Sequence, residues 1–215
     1  MLLKIDLHIH SKYSYDSFMD PRKIIEKAKK RGLNIISITD HNTILGSLET
    51  KRVNTDHNFM VIIGVEIKTE YGDLIGLFIN KEIHTRKFFE VVREIKSQKG
   101  LVILPHPFSK NSNFPEKCIQ YVDLIEVMNA RCKKIWNKRA QELAEKYKKP
   151  VSAGSDAHNY FEIGSCFTKI ETSSLAGLKE KLLTNKTYFG KENIYYLSHF
   201  MSLVIEKTDL LKNKI

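Results

Sequence analysis

Residues 4–11 of the chain read Lys4-Ile5-Asp6-Leu7-His8-Ile9-His10-Ser11. Apolar residues at 5, 7 and 9 alternate with Asp6, His8 and His10, the period-two pattern of a strand. Side chains two apart on a strand project to the same face. His8 and His10 can therefore grip one ion while Leu7 and Ile9 face the opposite side. What the fold must then supply is further ligands at the same end of neighbouring strands.

Working outward from this first strand (Lys4–His8), short β-branched runs alternate with longer amphipathic stretches. Pro21–Arg31 reads as a helix, with Asp20 as N-cap and Pro21 at its first position. Strands follow at Ile35–Thr39 and Met60–Ile67. Tyr71-Gly72-Asp73 turns the latter into an antiparallel partner, Leu74–Ile79. Thr85–Gln98 reads as a helix closed by Gly100 before strand Leu101–Leu104. Then come strand Leu124–Met128, helix Lys133–Tyr147, strand Val151–Ala153, strand Phe167–Ile170 and helix Ser174–Leu183, capped by Ser173 or Ser174. Such alternation predicts an α/β fold of parallel strands with helices outside. No repeat, low-complexity tract or linker divides the chain, so residues 1–215 are expected to form one domain. Residues 195–215 are expected to be a helical tail on it, with Tyr195–Leu211 covering the barrel or joining subunits.

The ends of these strands carry the residues of interest: His8 and His10, then Asp40-His41, Glu66, His106, Asn129, and Asp156-Ala157-His158. In α/β barrels, function gathers at the carboxyl ends of the strands. One histidine is more often structural than a ligand, but five at successive strand ends point to metal. Imidazole and carboxylate without thiolate suit Zn, Mn or Fe better than Ca or Mg. A carboxylate such as Glu66 can bridge two ions about 3.5–4 Å apart. The alternative, a single closed zinc site that only braces the barrel, leaves too many ligands unused. His57, His84 and His199 lie elsewhere and read as exposed or locally bonded.

Composition narrows the class. Hydrophobic residues at 42% and charged residues at 28% are those of an ordinary globular protein. No apolar run is long enough to span a bilayer, and no apolar signal segment precedes the first motif, so a cytoplasmic location is expected. Cys118, Cys132 and Cys166 are widely spaced and form no CxxC pair, which argues for structural thiols rather than disulfides or a thiolate site. The formal charge of +10 comes from lysines interleaved with glutamates on predicted helices. It favours anionic partners in general.

The six motifs together resemble those of the PHP (polymerase and histidinol phosphatase) domain family. They are Asp6-Leu7-His8-Ile9-His10-Ser11 with Asp16, Thr39-Asp40-His41-Asn42-Thr43, Gly64-Val65-Glu66, Pro105-His106-Pro107, Glu126-Val127-Met128-Asn129-Ala130-Arg131 and Gly154-Ser155-Asp156-Ala157-His158. HxH or DH alone is weak, but six motifs in this order are specific. The resemblance implies a distorted (β/α)7 barrel with two or three divalent ions, Zn, Mn or Fe, at the carboxyl ends of its strands. By the same resemblance, His8, His10, Glu66 and Asp156 hold the first ion. Glu66 and His106 hold the second, with Asn129 where some members have a further ligand. Asp16, His41 and His158 hold the third.

The activity so implied is hydrolysis of a phosphate ester by a metal-activated water. Arg131 is the expected phosphate contact, with a surface salt bridge as its alternative. His158 or the third ion assists the leaving oxygen. Asp40 orients an imidazole or caps the turn that follows it. Pro107–Pro115, with Ser109, Asn111, Ser112 and Asn113, reads as a polar loop over the site, and Tyr13 as part of its mouth. The first expectation for substrate is a phosphorylated small metabolite or nucleotide. Alternatives are a nuclease acting on RNA or DNA ends, a histidinol-phosphate phosphatase, and a silent regulatory module. No membrane partner is expected, and the oligomeric state is not legible.

Overall fold

The computed structural model describes residues 2–109, 114–171, 177–184 and 188–191. The order is β1 (Leu2–Ile9), α1 (Pro21–Lys30), β2 (Ile35–Ile38), α2 (Leu45–Val53), β3 (Met60–Thr69), β4 (Gly72–Leu77), α3 (Phe88–Ser97) and β5 (Leu101–Leu104). A short 3-10 helix (Glu116–Tyr121) leads to β6 (Leu124–Asn129). There follow α4 (Lys134–Lys146), β7 (Val151–Gly154), β8 (Cys166–Glu171), α5 (Leu178–Thr184) and β9 (Tyr188–Lys191). The strands hydrogen-bond in the order β7-β6-β5-β4-β3-β2-β1-β8-β9.

The first eight strands curl into a nearly closed barrel, the α/β architecture expected from the alternation. Two departures from parallel pairing distort it. β4 runs antiparallel to both β3 and β5, as the Tyr71-Gly72-Asp73 turn implies, and β8 runs antiparallel to β1. No ladder joins β7 to β8. Instead the Thr168 hydroxyl accepts from the Ala153 amide at 2.8 Å and donates to the Ala153 carbonyl at 3.0 Å. That side chain closes the seam.

Strand residues of β2 and β5 are buried at every position, as covered strands should be. The helices bury one stripe each: Ile24, Ile25 and Ala28 of α1, and Phe88, Val91, Val92 and Ile95 of α3. α1 starts where its cap predicts, with the Asp20 carboxylate accepting from the Arg22 amide at 3.0 Å. α3 starts three residues later than expected. Glu70 reaches across from the hairpin to accept from the Phe88 amide at 2.8 Å, and so sets the first turn there.

α2 carries no apolar stripe: its buried face is Gly46, Ser47, Thr50 and Val53. Hydrophobic period therefore does not announce it. Of the last predicted helix, Leu178–Thr184 is observed, while Ser173 and Ser174 lie outside the described residues. So do the tail 195–215, His199, and Asn111, Ser112 and Asn113 of the polar loop. The loop's first turn is described: Ser109 donates its amide to the His106 carbonyl, and Phe108 lies under the Arg139 guanidinium at 4.1 Å.

Candidate metal centre

His8 and His10 emerge together at the end of β1, fully buried, with Leu7 and Ile9 turned into the core. Their direction is locked just beyond. The Asp40 carboxylate takes the Ser11 amide at 2.5 Å and the Ser11 hydroxyl at 2.6 Å. The Asp40 carbonyl takes the Glu66 amide at 3.1 Å. Asp40 thus ties the ends of β1, β2 and β3; it caps the turn after β1, not the turn that follows it. Gly46 makes this knot possible, because a Cβ there would sit 1.8 Å from Asp40 Oδ2 and 2.3 Å from Ser11 Oγ.

Glu66, at the site end of β3, is the hub. Its Oε2 lies 3.3 Å from Nε2 of both His8 and His10 and 3.2 Å from His41 Nδ1, and its Oε1 lies 3.0 Å from His106 Nε2. Asp156 Oδ1 stands 3.5 Å from His8 Nε2, 3.4 Å from His10 Nε2 and 3.6 Å from His158 Nδ1. Asp16 Oδ2 joins His41 Nε2 at 3.2 Å and His158 Nε2 at 3.0 Å. Backbone strain accompanies this crowding. His106 and Asp156 both hold positive φ, +28° and +53°, sparsely populated values for residues with a Cβ.

Three ligand groups result: His8 with Glu66 and His106, His8 with His10 and Asp156, and His10 with Asp16, His41 and His158. A metal ion fits this arrangement on two observations. His10 Nε2 and Asp16 Oδ1 are buried and make no hydrogen bond, though His10 Nε2 has carboxylate oxygens 3.3 and 3.4 Å away. Such atoms are costly to bury unless something else satisfies them, and a cation bound among these side chains would do so. The donors are also those of borderline transition metals. None of the three cysteines belongs to these groups.

Charge behaviour follows the same crowding. Burial alone would lower His8, His10 and His106. The surrounding Glu66, Asp156 and Glu126 carboxylates outweigh it, holding His8 well above the usual range and raising His10 and His106 to about 9. Burial would raise Glu66, Asp156 and Asp16, but the imidazoles around them win and all three are lowered.

Two residues with no assigned role in the sequence stand behind the ligands. Glu126 is buried mid-strand on β6. Its Oε1 lies 3.0 Å from His8 Nδ1, while Oε2 accepts from Asn129 Nδ2 at 2.9 Å and the His106 amide at 3.1 Å. This carboxylate–histidine pair leaves His8 Nε2 as the ligand nitrogen. The available signal was an acidic residue inside an otherwise apolar run. Gly154 admits the pair, since a Cβ there would lie 2.6 Å from His8 Cβ and 2.7 Å from Glu126 Oε1. Asp6 accepts from the amides of Ser155 and Gly164 at 3.0 Å and of His8 at 3.3 Å. Burial still pushes its carboxyl up to about 6.

Asn129 lies among the ligands but presents its amide nitrogen to Glu126 and, at 3.2 Å, to Asp156 Oδ2. Its oxygen is taken by the Arg131 amide at 2.9 Å. With a donor behind and two carboxylates in front, the network fixes that orientation, and the ligand oxygen expected from sequence faces away. The Arg131 guanidinium pairs with Glu162 at 3.5 Å. Glu162 also accepts the His158 amide at 2.8 Å, so this pair belongs to the site wall rather than the outer surface. His57 and His84 are in none of the ligand groups.

The PHP domain family model matches residues 6–197. The chain belongs to the PHP domain family. Two uncharacterized proteins of Methanocaldococcus jannaschii share 43% identity over 60% of this PHP chain and 82% of their own, and 36% over 98% and 86%. The 5'-3' exoribonuclease of Haemophilus influenzae is 35% identical over 38% of this chain and 31% of its own. Among solved structures, a two-domain Bacteroides vulgatus protein containing a predicted PHP-like metal-dependent phosphoesterase superposes with a TM-score of 0.78. It is 20% identical, over 89% of this chain and 65% of its own, so the PHP chain spans about two thirds of that protein's length.

Proposed function

We propose that this PHP chain hydrolyses phosphate esters of a small metabolite or nucleotide with two or three divalent ions, Zn, Mn or Fe. The observation that carries the reading is the buried His10, a member of two ligand groups, with its Nε2 crowded between the Glu66 and Asp156 carboxylates and satisfied by no hydrogen bond. His8, His10, Glu66 and Asp156 would hold one ion, Glu66 and His106 a second, and Asp16, His41 and His158 a third. When bound, such ions activate a water at neutral pH and offset phosphoryl charge. The chain's own groups do the rest. Glu66 and Asp156 concentrate negative charge where cations must sit. Arg131, paired with Glu162, would contact a phosphoryl oxygen through its guanidinium. The third ion, or His158 itself, would assist the leaving oxygen. Asp40 positions the histidines without touching substrate.

The second reading, a nuclease acting on nucleic-acid ends, is favoured by the exoribonuclease relative and by the +10 charge. The test is elemental analysis after incubation with Zn, Mn and Fe, followed by a screen of phosphomonoesters, phosphodiesters and oligonucleotides. At least two ions per chain and turnover of a monoester are expected. One ion or none, or no turnover of any ester, overturns the reading.

A further inference from the structure

Tyr15 lies on the segment between β1 and α1, with its ring stacked on His41: centroids 5.1 Å apart, planes 20° from parallel. It is nevertheless 83% exposed. His41 sits 3.2 Å from Glu66 and 3.2 Å from Asp16, so this stack begins on a member of the ligand cluster itself. Tyr13 and Phe18, on the same segment, are 39% and 66% exposed. Large rings are seldom left in water together unless something covers them. Tyr15, through His41, adjoins the centre at which the phosphoryl group would be bound.

We propose that Tyr15 is a specificity-determining residue that stacks on the base of a nucleoside phosphate whose phosphoryl group occupies the metal centre. This inference rests on the phosphoesterase reading and narrows its substrate. Every base has a flat π-face that stacks on an aromatic side chain whatever its hydrogen-bonding edge, whereas an aliphatic alcohol or bare sugar has none. The stack on His41 already orders the tyrosine ring, so little further ordering is required when a base docks beside it. In a nucleotide only the sugar separates base from phosphate, which matches a ring one residue removed from the ligands. The same chemistry occurs in a free nucleotide and at the end of a strand.

The experiment compares kcat/KM for adenosine 5′-monophosphate with that for ribose 5-phosphate, the same ester without its base. It uses the metal-loaded full chain, with metal content measured on every variant. Wild type should favour the nucleotide about tenfold or more. Tyr15→Ala should bring that ratio close to one, mainly through KM, and Tyr15→Trp should keep it. A 5′-phosphorylated dinucleotide turned over faster than the mononucleotide assigns the site to strand ends, and slower turnover assigns it to free nucleotides. A wild type that does not distinguish the two esters, or a fully metallated Tyr15→Ala that keeps the ratio, overturns this inference alone. Failure to hydrolyse any ester overturns the parent reading and this one with it.

Discussion

Glu66 faces four imidazoles with one carboxylate, which makes it the residue most sensitive to a change of charge. Glu66→Gln keeps the shape but removes the anion that, on the proposed reading, would offset two bound cations. Loss of a carboxylate behind a ligand histidine costs on the order of 10–100-fold in metal affinity or activity, and loss of the shared ligand should exceed that. We expect Glu66→Gln to lose at least one ion and more than about 100-fold in rate. His41→Ala should mainly lose the ion of its own group and keep residual turnover. Metal counting and phosphoesterase assay of both variants side by side decide it. The opposite order would show a centre organised around His41 and Asp16. At this scale the clustering of the candidate ligands was legible because strand alternation and strand ends place them together. Glu126, Asp6 and the orientation of Asn129 were not. Each depends on at least one partner distant in sequence, 118 residues away for Glu126, 158 for Asp6 and 27 for Asn129, and no local spacing encodes those.

At the scale of elements, α2 shows a helix chosen by fit rather than by apolar stripe. In a helix interior, Gly→Ala normally gains about 1 kcal/mol. At Gly46 a Cβ would lie 1.8 Å from a buried Asp40 oxygen. Overpacking costs about 1–3 kcal/mol, and breaking the Asp40–Ser11 knot adds to it. Gly46→Ala should therefore destabilise the fold by about 1–3 kcal/mol in chemical denaturation, against little change for Leu48→Ala on the exposed face. A stabilised Gly46→Ala would mean that helix propensity outweighs the contact. Strands, the hairpin and the capped α1 were readable because short-range pattern determines them. The start of α3 was not, because Glu70 supplies it from the hairpin.

Across the whole molecule, the metal centre couples stability to pH. His10 and His106, raised to about 9, contribute stability that is full below their unfolded value near 6.5 and is lost as pH rises through 9. Lowered Glu66, Asp16 and Asp156 contribute stability present above their unfolded values near 4, lost as pH falls below them. Asp6, raised to about 6, costs stability as pH climbs through that value. The metal-free protein should therefore show its highest Tm between about pH 4.5 and 6.5 and a decline toward pH 9.5. Added Zn or Mn should reverse that decline, with protons released on binding at pH 7. A Tm profile in chelator, flat from pH 6 to 9.5, would contradict this. The barrel also explains where the chemistry sits. A cleft of about 620 Å³ at the start of β3, lined by His57, Phe59 and Phe78, holds none of the ligands. They gather at the opposite strand ends instead.

The closure at Thr168 has a hereditary side. Backbone ladders join the other neighbouring strands of the barrel, and a ladder is nearly indifferent to which residues form it. Between β7 and β8 the Thr168 hydroxyl both accepts from and donates to Ala153. Exchanging this threonine for valine would keep the bulk and erase both bonds. Drift can thus weaken the seam at one position, while the backbone bonds between His8, His10 and Ala157 beside it do not depend on side-chain identity.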